Sequence, residues 1–261
     1  MRSWLAGILL TLALPVARAD GAAGQRLEFP LRGKTLVLTI YRPASPPKGT
    51  IIMGSGDVGW VGLGVTMAEF LSNQGYIVAG FNVRQYLSSF TAAKIHLQTV
   101  EPPADYEAMA EHLRRNGLLQ RPVILSGVSE GAALAVLAAA SPKNHAWASG
   151  VITMGLPGSA ELAWRWTDFT AWITKSDARE PSFAPNDFIA AVSPLPLYML
   201  QSIKDEYVPP ADYRLFDATA KPPKKLVLID ASNHRFTDRR KQLHEAYLAG
   251  LAWIDSFKPP S

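Results

Sequence analysis

The chain has 261 residues, 48% of them hydrophobic, 18% charged and 10% aromatic, a balance that supports one large buried core and excludes a disordered polymer. The formal charge is +4, and removing Arg2 and Arg18 with an amino-terminal segment leaves an excess of two. That excess is too small to argue for a nucleic-acid partner, and no stretch interleaves Lys and Arg with aromatics.

The elements follow in chain order. Arg2 supplies a positive start, Trp4 to Val16 is an uncharged and mostly apolar run, and Ala17-Arg18-Ala19 offers small residues where a signal peptidase reads. Residues 1–19 are therefore expected to be a signal peptide cut between Ala19 and Asp20, which makes the mature chain, 20–261, periplasmic or secreted. The run is shorter than the roughly 20 residues of a spanning helix, and no later run replaces it, so no transmembrane anchor is expected after cleavage. The chain has no cysteine, so neither a disulfide nor a thiolate-held zinc can contribute to it.

Leu36–Tyr41 reads as a strand ended by Pro43, and Thr50–Met53 as a short buried strand running into Gly54-Ser55-Gly56. Val65–Leu71 has helical spacing and stops at Gly75; Tyr76–Phe81 is the next strand. Tyr106–Leu113 is helical, Val123–Leu125 is a buried strand, and Ala132–Ala140 is a small-residue helix. Val151–Met154, Leu197–Leu200 and Leu226–Ile229 are later strands, and a last amphipathic helix spans about 237–257. Apolar strands alternating with helices predict an α/β fold with a mostly parallel central sheet covered on both faces. Residues 158–193 break the alternation; they hold Trp164, Trp166, Phe169 and Trp172 and are expected to form a small inserted cap.

The chemistry centres on Gly127-Val128-Ser129-Glu130-Gly131, a G-x-S-x-G between a buried strand and an apolar helix. On such a strand-to-helix turn the serine oxygen is exposed above the sheet, and side chains at either glycine would collide with neighbouring backbone. Ser129 is the candidate nucleophile. A serine needs a base, and the base needs a third group to orient it; where the serine sits on a strand-to-helix turn of this kind, the order along the chain is nucleophile, acid, histidine. His96 and His112 precede Ser129, His145 reads as a surface turn and His244 as the wet face of the last helix. His234 remains, in the loop after Leu226–Ile229. Asp205, in the loop after Leu197–Leu200, is the expected acid; Glu206 is its rival and Asp230 a more distant one.

Two backbone amides must hold the oxyanion. Glu130 supplies one, and the glycine-rich loop Gly54–Trp60 the other, with Asp57 first and Gly56 next. That loop lacks the Lys and Ser/Thr of a phosphate loop. Trp60, Trp164 and Trp166 are candidate walls of an apolar substrate pocket. No His, Asp and Glu cluster has metal-ligand spacing, so neither metal nor cofactor is expected.

The strand order, the Ser129 turn, the Asp205 loop and the His234 loop together resemble the α/β-hydrolase superfamily across nearly all of the mature chain. Ser55-Gly56-Asp57-x-Gly59-Trp60 after a strand further resembles the exported VirJ-type virulence hydrolases of bacteria. The chain departs from that family at Glu130, where an aromatic is usual, and at Arg84-Gln85-Tyr86-Leu87, where an aromatic cluster is usual. The resemblance implies a serine hydrolase acting on carboxylic esters, with a small-molecule or lipid ester as partner; the VirJ likeness implies an aminoacyl ester on a phospholipid such as lysyl-phosphatidylglycerol. The same groups can cleave amides, which keeps a serine peptidase or amidase open, and a non-catalytic binding protein on a hydrolase scaffold is the alternative outside enzymes.

Overall fold

The structure, a computed structural model, describes residues 24–165 and 181–257. The expected signal segment and its cleavage point lie outside the described residues, as do Trp166, Phe169 and Trp172. The described residues hold ten strands: β1 (Gln25–Leu31), β2 (Lys34–Tyr41), β3 (Gly49–Gly54), β4 (Tyr76–Phe81), β5 (Val123–Val128), β6 (Gly150–Met154), β7 (Ala160–Glu161), β8 (Ser182–Phe183), β9 (Leu197–Ser202) and β10 (Lys224–Ile229). Eight of them form one sheet in the order β1-β2-β4-β3-β5-β6-β9-β10, while β7 and β8 pair separately.

Strands β4, β3, β5, β6, β9 and β10 run parallel, and β1 and β2 add an antiparallel edge. β3, β5, β6 and β9 are buried along their whole length, as continuously apolar parallel strands must be. β1 is not expected from the sequence, because Pro30 sits inside it. It is an edge strand, where a missing N–H costs no ladder bond, and a tight turn at Arg32 (φ 47°) and Gly33 (φ 75°) folds it onto β2.

Among the described residues six α-helices cover the sheet: α1 (Leu63–Asn73), α2 (Val83–Ser89), α3 (Glu101–Arg115), α4 (Glu130–Ala139), α5 (Pro210–Thr219) and α6 (Arg240–Asp255). α1 and α6 pack on one face through Met67, Leu71, Leu243 and Tyr247, and α2, α3 and α4 on the other through Tyr86, Tyr106, Met109 and Leu134. α4 is built of Ala, Gly, Val and Leu after Glu130, and nine of its ten residues are buried. Small side chains all round let it lie tight against the sheet while α3 covers its back. Its position fixes the turn that precedes it.

The α/β-hydrolase fold expected from the sequence is therefore present. The loops after β3, β5, β6, β9 and β10 open at the carboxyl end of the parallel strands, where such sheets place their chemistry. β7 pairs antiparallel with β8 in the stretch between β6 and β9, the region that breaks the alternation. Among the described residues no helix is long and apolar enough to cross a membrane.

Candidate active site

Ser129 stands between β5 and α4 with φ 52° and ψ −116°, a conformation that costs a non-glycine residue roughly 1–3 kcal/mol. Close packing holds it there. A Cβ on Gly127 would lie 2.1 Å from the carbonyl carbon of Gly131, and one on Gly131 would lie 2.3 Å from the oxygen of Gly54. The Ser129 amide donates to the Met154 carbonyl (3.0 Å) at the end of β6, and the Gly131 amide donates to Ser55 O (2.9 Å). Both glycines of the motif are thus demanded by backbone approach.

His234 is 6% exposed and lies in the loop after β10. Its Nδ1 is 2.7 Å from Asp205 Oδ2. Asp205 is held from four directions: Oδ2 also accepts from Gln201 Nε2 (3.0 Å), and Oδ1 accepts the amides of Tyr207 (2.9 Å) and Val208 (3.0 Å). A carboxylate facing Nδ1 fixes the tautomer with its proton on Nδ1 and leaves the lone pair on Nε2. Nε2 is buried and has no hydrogen-bond partner among the described residues. Ser129 Oγ is accordingly not bonded to it here, a looseness common in sites without substrate.

Met154 and Gly155 bring the serine and the histidine together. Met154 receives the Ser129 amide, and Gly155, at φ 63°, leaves open the space that the His234 ring occupies. A Cβ on Gly155 would lie 2.6 Å from His234 Cε1 and 3.3 Å from Nε2. Sequence reasoning missed Gly155; the only signal was a glycine closing a buried strand, in Met154-Gly155-Leu156-Pro157. It also missed Tyr207, 58% exposed, whose ring meets the His234 imidazole edge-on at 5.4 Å between centroids.

The rival acids are placed elsewhere. Glu206 Oε2 accepts the backbone amide of His234 (2.8 Å), not its ring, and Asp230 pairs with Lys204 (2.9 Å) at the surface. Two other histidines are engaged elsewhere: His145 bonds the Ala139 carbonyl (2.8 Å), and His112 packs on Phe29. His244 is not on a wet face; it stacks on Phe70 at 3.8 Å, and burial followed by the charge of Arg240 lowers its pKa.

Gly56 borders the serine, its Cβ direction ending 3.7 Å from Ser129 Cβ. Ser55 is buried and pins this loop by donating to Gly56 O (2.8 Å) and accepting the Val83 amide (3.0 Å). Gly56 and Gly59 bridge each other, whereas the amides of Asp57 and Glu130 donate to nothing among the described residues. The Asp57 carboxylate turns back to accept the Val58 amide (2.9 Å).

Two tryptophans expected on pocket walls are taken up by packing. Trp60 lies across Gly80, where a Cβ would be 1.9 Å from its ring, and its Nε1 donates to Tyr41 Oη (3.2 Å). Trp164 donates its amide to Thr91 Oγ1 (3.1 Å) and lies under the Arg84 guanidinium at 5.2 Å. It anchors the stretch after β7 onto α2 and the loop beyond. Among the described residues no group of three or more His, Asp or Glu is arranged to hold a metal ion.

Glu130 carries a further titratable group, next in the chain to Ser129. Its Oε2 accepts the Glu161 amide at 3.2 Å, which ties β7 to the start of α4. Burial pushes the carboxyl up to about 8; the Glu161 charge adds to the rise, the Glu161 amide opposes it, and Asp57 adds a smaller push. The folded chain thus holds this proton more tightly than the unfolded one, so the stabilisation is complete below the ordinary value of 4.5 and is lost as pH climbs to about 8. Relative to the parent, Glu130→Gln, with no proton to lose, should gain roughly 1–3 kcal/mol in stability between pH 4 and pH 9. Urea midpoints of both proteins at the two pH values measure this; a constant difference would show that the carboxyl does not titrate in that window.

The comparisons with known proteins agree with this architecture. The model of the bacterial virulence protein (VirJ) family matches residues 49–206, from the start of β3 through Glu206. Three solved structures are similar in fold. The esterase domain of a Rhodothermus marinus protein is 18% identical over 88% of this chain and 98% of that chain, with a TM-score of 0.60. An alpha-beta serine hydrolase homologue from Coxiella burnetii is 18% identical over 88% and 98%, with a TM-score of 0.62. Est1E from Butyrivibrio proteoclasticus is 15% identical over 90% and 100%, with a TM-score of 0.64. A search of curated proteins gave no match. With well over half of its length matched by that one family model, on an α/β-hydrolase fold, the chain belongs to the bacterial virulence protein (VirJ) family.

Proposed function

We propose that this protein is an exported serine hydrolase of carboxylic esters, working through Ser129, His234 and Asp205. The observation that carries the reading is the bond from His234 Nδ1 to Asp205, which leaves Nε2 buried without a partner among the described residues, in a ring packed on Gly155 next to the Met154 carbonyl that holds the strained Ser129. Nε2 takes the Ser129 proton as Oγ attacks the ester carbonyl. Asp205 orients the ring and stabilises its charged form. The amides of Glu130 and Asp57 hold the oxyanion, with the start of α4 favouring negative charge there. Nε2 then gives its proton to the leaving alcohol, and water, activated by the same nitrogen, releases the acid from Ser129. The family likeness extends the substrate to lipid-like esters, an aminoacyl ester on a phospholipid among them.

A fluorophosphonate probe offered to the mature protein should label Ser129, and purified protein should hydrolyse acyl esters and aminoacyl-phospholipid in vesicles. A folded protein that resists the probe and turns over neither ester would be a binder on a hydrolase scaffold. Preference for amides over matched esters would make it a peptidase. Export is checked by sequencing the amino terminus of protein from the producing cell, which should begin at Asp20.

A further inference from the structure

The acid loop grips the histidine twice. Its residue 205 holds the ring, and its residue 206 holds the main chain: Glu206 Oε2 accepts the His234 amide at 2.8 Å. The two loops are laced below that point as well. The Ile203 amide donates to Ile229 O (3.0 Å), and Ser202 Oγ, buried, donates to Ala231 O (3.0 Å). On its far side the His234 loop is anchored by Phe236, fully buried at φ 52°. Among the described residues the His234 amide has Glu206 as its acceptor, whereas the neighbouring bonds are local, from Ser232 N to Asp238 and from Arg235 N and Thr237 N to Asn233.

We propose that Glu206 is a positioning residue, whose carboxylate fixes the His234 main chain so that one ring nitrogen meets Asp205 and the other faces Ser129. The inference rests on the triad reading above but concerns a residue that reading leaves without a role. A ring bonded only through Nδ1 is free to pivot about that bond, and fixing the Cα end of the side chain removes the pivot. Misplacing a reacting group by about 1 Å can cost on the order of a hundredfold in rate. Glu206 therefore acts through the backbone of the base and touches neither the substrate nor the imidazole.

The bond needs an oxygen acceptor, not a charge, which makes the test specific. Glu206→Ala should lower kcat and the rate of fluorophosphonate labelling roughly ten- to a hundredfold with KM nearly unchanged. Glu206→Gln, whose amide oxygen accepts the same bond, should restore most of both. Proton NMR of the same proteins reads the ring directly: the far-downfield resonance of the Nδ1 proton shared with Asp205 should be sharp in the parent and in Glu206→Gln, and broadened or lost in Glu206→Ala. Equal labelling and an unchanged resonance in Glu206→Ala would overturn the proposal, and so would a Gln variant as impaired as the Ala variant. A parent protein that neither labels nor hydrolyses would refute the triad reading alone, since the resonance still reports whether Glu206 holds the ring.

Discussion

Ser129→Ala and His234→Ala should each reduce kcat by at least roughly a thousandfold, with melting temperatures close to that of the parent. Ser129 loses only an oxygen that makes no hydrogen bond among the described residues, and its strained backbone is set by Gly127, Gly131 and the Met154 carbonyl rather than by its side chain. The double variant should be no worse than the poorer single one, because nucleophile and base act as a unit. Asp205→Ala should be damaging but less complete. It also frees Gln201 and the amides of Tyr207 and Val208, so a loss of stability is expected there and not in the other two. Steady-state rates and thermal melts on the same preparations check all four. Retained turnover in His234→Ala would remove the base from the mechanism.

Gly155→Ala should be nearly as harmful to turnover while leaving every proposed catalytic side chain in place. The new methyl would sit 2.6 Å from His234 Cε1, well inside contact distance, and the backbone there is at φ 63°, which an alanine adopts only with strain. The ring must swing away from Ser129, its bond to Asp205 must stretch, or the end of β6 must shift. We expect roughly a hundredfold loss in kcat and about 1–2 kcal/mol of stability. Near-parental turnover in a folded Gly155→Ala protein would show that the end of β6 does not set the ring's place.

The legible parts of this protein are those where one residue type has one use. A glycine pair around Ser129 admits few structures, and chain order narrows the candidate base to His234 and its acid to Asp205, Glu206 or Asp230, of which Asp205 meets the ring. What stayed hidden depends on distant neighbours. β1 was lost because Pro30 argues against a strand unless the strand is known to lie at an edge. Gly155 reads like any loop glycine until His234, far along the chain, is seen to lie against it. Trp60 was given to the substrate because aromatic rings near a nucleophile suggest a pocket; the cavity it fills is above Gly80, a residue with nothing in its own surroundings to announce a partner. Glu206 looked like a competitor for the ring, since sequence cannot tell a carboxylate facing an imidazole from one facing an amide.

The contact between Gly131 and Gly54 joins the serine turn to the loop after β3, with Gly131 N bonded to Ser55 O and the two segments in backbone contact. Asp205 and His234 belong to a different assembly, stitched between the ends of β9 and β10. The site is therefore two jaws rather than a ring of separate side chains. Each jaw is stiff within itself, and Gly155 is the pad where they meet. The proposed reaction needs Ser129 Oγ and His234 Nε2 to meet, and under that proposal a substrate that bridges both jaws would bring them together without rebuilding either.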